Sequence, residues 1–141
     1  MPKSIFYIIL ISVLISCRKE KRIANKINGD WSITTLKRTD HEGLIEFAQC
    51  SGTLHFNKLE GDSANYEFQI YYEFLGETGT INQKGTYKLI EKGDFMNLSV
   101  LDINNNLVSY TKYRLLTVTS SDLELEFSDG IKTLIFIMTS K

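Results

Sequence analysis

Tyr66-Glu67-Phe68-Gln69-Ile70-Tyr71-Tyr72-Glu73-Phe74 is the stretch that decides the fold. Tyr66, Phe68, Ile70, Tyr72 and Phe74 share one phase of a period of two, while Glu67, Gln69, Tyr71 and Glu73 hold the other. Successive side chains of a strand point to opposite faces, so this segment reads as a strand with one apolar face. Its neighbours repeat the pattern. Strands are expected over 31–38, 51–57, 80–90, 96–100, 108–117, 123–127 and 131–139. In the last of these Leu134, Phe136 and Met138 face one way and Ile135 and Ile137 the other, which predicts cover on both sides.

Short turn signals separate these runs. Gly76-Glu77-Thr78-Gly79, Glu91-Lys92-Gly93-Asp94, Asn104-Asn105-Asn106 and Ser128-Asp129-Gly130 supply residues that tolerate positive φ. No proline follows Pro2, as suits a chain whose amides are needed in strand ladders. Eight short strands at regular spacing predict an all-β domain over residues 27–141, long enough for one domain and too short for two. Local hairpins throughout favour an antiparallel up-and-down eight-stranded barrel, with a β-sandwich as the alternative. Closure removes the exposed edges that invite aggregation.

The N-terminal segment has a different character. Met1, Pro2 and Lys3 precede an apolar run from Ser4 to Ile15, and Leu14-Ile15-Ser16-Cys17 ends it. The order of parts is that of a secretory signal, and the run is short of the roughly 20 apolar residues of a spanning helix. Ser16-Cys17 resembles the bacterial lipoprotein signal, or lipobox. That resemblance implies loss of residues 1–16 and acylation of Cys17 as the new N-terminus. Acyl chains, at about 0.8 kcal/mol per buried methylene, would anchor the protein to a bacterial membrane. Residues 17–26 then form the lipidated cysteine and a basic tether carrying Arg18, Lys19, Lys21, Arg22 and Lys26. No acidic run follows the cysteine, so a periplasm-facing position in the cell envelope is expected.

Charge excludes one class of partner. Residues 27–141 hold ten Lys or Arg against sixteen Asp or Glu, which argues against nucleic acid. Once Cys17 is lipidated Cys50 is the remaining cysteine, and its strand context predicts a core position. His41 falls in a turn beside Asp40 and Glu42, and His55 on the outward phase of its strand. Neither belongs to a ligand set with metal-site spacing, so no metal and no cofactor are expected. Glu124 and Glu126 share a strand face about 7 Å apart, a spacing open to acid–base work. Their alternation with core residues points instead to a solubilising face. No nucleophile elbow or phosphate-binding loop is found, and no enzyme is expected.

Ile27-Asn28-Gly29-Asp30-Trp31-Ser32-Ile33 carries a Gly-x-Trp at the head of the first strand. With Cys50–Phe56, Gly85–Leu89 and Leu123–Phe127 it resembles the lipocalins, and in particular the small lipocalin-like lipoproteins of Bacteroidota-type bacteria. The resemblance implies structural roles for Gly29 and for Trp31, which would plug the closed end of the barrel. An eight-stranded barrel is either filled by side chains or holds one small ligand. The candidate lining is Tyr66, Phe68, Tyr72, Phe74, Tyr87, Leu98 and Phe136, suited to a small apolar or amphipathic molecule. The alternative is a filled barrel acting as an envelope protein–protein module through outer aromatics such as Tyr71 and Tyr113.

Overall fold

The computed structural model describes residues 18–74 and 76–141, and the backbone alone of Phe74 and Glu77. Eight strands follow in order: β1 (Gly29–Asp40), β2 (Ile45–Phe56), β3 (Ala64–Phe74), β4 (Glu77–Ile90), β5 (Phe95–Leu101), β6 (Leu107–Val118), β7 (Asp122–Ser128) and β8 (Lys132–Ser140). Each pairs antiparallel with the next, and β8 returns to β1 from Trp31↔Ser140 to Asp40↔Lys132. The sheet is therefore a closed up-and-down barrel, not a sandwich. Turns 41–44, 102–106 and 129–131 gather at one end with Gly76, between β3 and β4, here the open end. Turns 57–63, 91–94 and 119–121 gather at the closed end with Gly29 and Ser140.

The closed end is filled solidly. Trp31, Leu54, Phe56, Tyr87, Met96, Leu98, Leu123 and Met138 are each almost wholly buried. The Phe56 ring meets Tyr87 edge-on at 5.2 Å and Phe68 at 5.6 Å between centroids. Each such side chain contributes about 1.5–3 kcal/mol by leaving water. Tyr66 and Tyr87 enter this core because their hydroxyls find acceptors: Tyr66 Oη donates to the Ser99 carbonyl at 2.8 Å, and Tyr87 Oη to that of Asn57 at 2.7 Å.

Residues 18–26, expected as part of a basic tether over 17–26, form a helix with Ile27 that packs against the barrel. Ala24 and Ile27 are buried and Ile23 packs against the core. Trp31 Nε1 donates to the Ile27 carbonyl at 2.8 Å, joining the helix to β1 inside the barrel. Lys19 Nζ meets Asp94 Oδ1 at 2.6 Å, and Lys26 Nζ donates to the Val118 carbonyl at 3.4 Å. The hydrophobic spacing Ile23, Ala24, Ile27 is a helical one that the density of charge around it conceals.

Two irregularities shape the wall. A bulge between Ile33 and Thr35 shifts the phase of β1, so Trp31 and Ile33 point inward before it and Leu36 after it. Gly52 sits at φ +143, where a Cβ would lie 2.1 Å from the Gln69 carbonyl oxygen. No side chain fits, because the β3 backbone lies close against β2 at that point.

Several expectations need correction. Tyr113 is not an outer aromatic: it is buried, with its ring 5.9 Å from that of Phe127 and 6.2 Å from that of Phe136. Tyr71 is exposed. Among the described residues no second layer covers the outside of β8. Ile135 and Ile137 are half-buried there because Ile135 stands between Lys37 and Glu126, and Ile137 beside Glu124, whose aliphatic stems shield them. Cys50 points inward but is half-buried and packed against the edge of the core, where burial pushes its thiol up to about 11.

Truncating Trp31→Ala should lower unfolding free energy by about 3–5 kcal/mol in urea titrations, since both the plug and the helix joint are lost. His55 faces outward, its Nδ1 2.6 Å from Asp30 Oδ1 and its Nε2 2.7 Å from Asn57 Oδ1. Those acceptors favour the imidazolium and raise its pKa above 6.5. The contact therefore adds stability at low pH and loses it as pH rises through the folded-state value. An NMR titration should place the His55 midpoint above 6.5, and Asp30→Asn should lower it.

Candidate functional site

Inward side chains thin out toward the open end. A cavity of about 270 Å³ opens there, lined by Leu36, Arg38, Tyr72, Thr78, Ile81, Lys132, Leu134 and Phe136. Strand direction sorts this lining by depth. Arg38, Tyr72, Thr78 and Lys132 lie near the strand ends at the rim, while Leu36, Ile81 and Phe136 lie one or two inward positions deeper. The rim is polar and the floor apolar, with Leu134 between.

Tyr72 owes its place to Gly79, its partner in the β3–β4 ladder. A Cβ at Gly79 would fall 2.3 Å from the Tyr72 Cζ, so the ring lies across the bare backbone. Arg38 faces Glu46 across the β1–β2 ladder, with Nε 3.8 Å from Oε2. The bulge in β1 is what turns Arg38 inward.

Below the floor is a separate void of about 40 Å³ bounded by Leu54, Phe68, Ile70, Ile81, Gln83, Tyr113, Leu125 and Phe136. Ile81 and Phe136 border both spaces. Gln83 is a polar residue on the inward phase, and its Nε2 donates to Tyr66 Oη at 2.6 Å. That bond completes the chain Gln83–Tyr66–Ser99 and keeps the amide satisfied.

Of the candidate lining residues, Tyr72 and Phe136 border the cavity, and Phe68 borders the void beneath. Tyr66, Tyr87 and Leu98 belong to the packed half, with both hydroxyls engaged by the protein. The side chain of Phe74 and all of Cys17 lie outside the described residues. Leu36, Arg38, Thr78, Ile81, Lys132 and Leu134 are the residues that sequence reasoning omitted. Lys132 and Leu134 share the phase of Phe136 and could have been found that way. Arg38 could not, because the bulge is silent in the sequence.

Two larger hollows, of about 280 and 440 Å³, lie on the outer surface beside β4. The β4–β5 ladder covers only Tyr87–Ile90, and the β5–β6 hairpin overhangs the remainder. Glu67, Gln69, Asn82 and Lys84 line one hollow, and His55, Asn65 and Asn105 the other. Both hollows are more open to water than the cavity inside the barrel, which encloses a small apolar molecule better. Glu124 and Glu126 sit outside, with Glu126 3.9 Å from Arg114. His41 is exposed in the β1–β2 turn.

Fold and cavity together define a lipocalin-like β-barrel with one filled half and one open half. No family model matches the chain, and no curated protein matches it in sequence. Solved structures do match in shape. A designed fluorescence-activating β-barrel aligns with a TM-score of 0.54 at 9% identity, covering 84% of this chain and 96% of its own. The redesigned barrel mFAP1 bound to DFHBI gives 0.54 at 15%, covering 84% and 98%. Japanin from Rhipicephalus appendiculatus, bound to cholesterol, gives 0.51 at 13%, covering 82% and 76%. At these identities the likeness is one of fold.

Phe136→Ala should join the cavity to the void beneath it. The expected result is a loss of about 3–5 kcal/mol in stability together with uptake of longer apolar probes than the parent accepts, read by denaturation and probe fluorescence.

Proposed function

We propose that this chain is an envelope lipoprotein, acylated at Cys17 and facing the periplasm, whose barrel binds one small apolar or amphipathic molecule at its open end. The carrying observation is the cavity of about 270 Å³ with an apolar floor and a polar rim. That volume is just under the roughly 300–1,000 Å³ of common ligand pockets, so the ligand is small. Two neighbours in shape hold small molecules in the same kind of barrel, cholesterol in Japanin and DFHBI in mFAP1. Because the helix over 18–27 lies against the closed end, an acyl chain on Cys17 would place that end at the membrane and turn the mouth away.

A second reading draws on the surface around the mouth. Leu44, Phe47, Ile103, Val108 and Ile131 are exposed on three of the open-end hairpins, Ile103 at 92%. Apolar residues grouped in this way are typical of protein contacts. An envelope protein docked over the mouth would cover them.

Native mass spectrometry of the protein taken gently from its host's envelope separates the two readings. A stoichiometric small adduct that leaves on denaturation is the expected result. A clean apo mass with no uptake of hydrophobic probes would reject the ligand and favour the docking role. The same spectra should show loss of residues 1–16 and an acylated Cys17, and Cys17→Ala should release the protein from membranes.

A further inference from the structure

One edge of β4 is open toward the mouth, and we infer that a second copy of the chain pairs with it, β4 against β4, antiparallel about a two-fold axis at Ile81. β3 covers one side of β4 from Glu77 to Tyr87, but β5 covers the other only from Tyr87 to Ile90. The ladder stops because a side chain takes the next place. The Thr86 amide donates to Ser99 Oγ at 2.9 Å, and that hydroxyl donates to the Thr86 carbonyl at 3.2 Å. Beyond it, residues 103–110 of the β5–β6 hairpin are all exposed.

Thr86 turns both backbone groups toward β5, so alternation turns those of Thr78, Thr80, Asn82 and Lys84 the same way. The carbonyl of Asn65, which faces Thr86, accepts from the Asn57 amide on the side away from β4, as this phase requires. Among the described residues nothing bonds these four amides and four carbonyls. The run from Thr78 to Lys84 has no proline and no bulge, and Lys84 is its one charge. Extended chains add to such edges through main-chain bonds.

The edge is complementary to itself. Hydrogen-bonded pairs across it must join residues turned outward, and one antiparallel register uses all four. It sets Thr78 against Lys84 and Thr80 against Asn82 of the second copy, each pair twice by symmetry. Glu73 of the second copy then lies beside its Thr78, roughly 10 Å or two strand spacings from the Lys84 backbone, within reach of the ammonium. Lys84 stands between that carboxylate and Glu67 of its own chain, and no like charges meet. The β5–β6 hairpin borders the same hollow as Asn82 and Lys84 and exposes Ile103, Leu107, Val108 and Tyr110, apolar area of the kind a stable dimer covers.

Cysteine cross-linking in the full chain, mildly oxidised in intact bacterial cells, tests this register. Ile81 lies on the axis, where facing Cα atoms of a pair without hydrogen bonds stand about 4.5 Å apart, so Ile81→Cys should link two copies by a disulfide. Gln83→Cys, set against Gly79, should stay monomeric on a non-reducing gel, as should the parent with Cys50. Asn82→Pro removes an amide that bonds nothing within its own copy. It should abolish the Ile81→Cys dimer and leave the urea midpoint of unfolding unchanged. The comparison of Ile81→Cys with Gln83→Cys decides by itself should the proline variant unfold. No dimer from Ile81→Cys, or as much from Gln83→Cys, would overturn the pairing. A cross-linked product of another mass would put a different protein on the edge and overturn the second copy. A dimer that survives Asn82→Pro would overturn β4 as the contact.

Discussion

The bond from the Trp31 indole to the Ile27 carbonyl, at 2.8 Å inside the closed end, is the joint on which the structure depends. It fixes the helix over 18–27 across the base and sets the largest side chain of the protein in the barrel axis. A closed sheet of eight strands has an interior of nearly fixed width. Once Trp31, Phe56 and Tyr87 occupy one end of it, the remaining inward residues determine how much space is left at the other.

The two halves of the barrel are therefore chemically distinct. At the closed end the inward positions are mostly large and the hydroxyls of Tyr66 and Tyr87 are bonded to backbone carbonyls, which leaves little volume. Toward the mouth several inward positions are small or flexible: Gly79 on β4, Ala48 on β2, and the long stems of Arg38 and Lys132. Tyr72 lies flat over Gly79 rather than across the axis. The cavity follows from these few residues. Interiors pack to crystal-like density where shapes permit, and here they do not fill the upper half.

The same arrangement gives the barrel a direction. Its base carries the helix and a set of basic side chains; its mouth carries exposed Leu44, Phe47, Ile103 and Ile131.

All eight strands and their order were legible from alternation and turn residues, because a period of two is written directly into a half-buried strand. Gly29-Asp30-Trp31 marked the head of the first strand through its resemblance to the Gly-x-Trp of the lipocalins. The helix over 18–27 was hidden because its apolar stripe is three residues wide and surrounded by charge. The inward turn of Arg38 was hidden because a one-residue bulge reverses the phase without altering composition. Alternation determines which side chains point inward but is blind to height along the barrel, so it grouped Tyr66 and Tyr87 with Tyr72. Only the register of eight strands around a closed circle places the first two in solid core and the third at the edge of an opening, since depth depends on pairings between residues far apart in the chain.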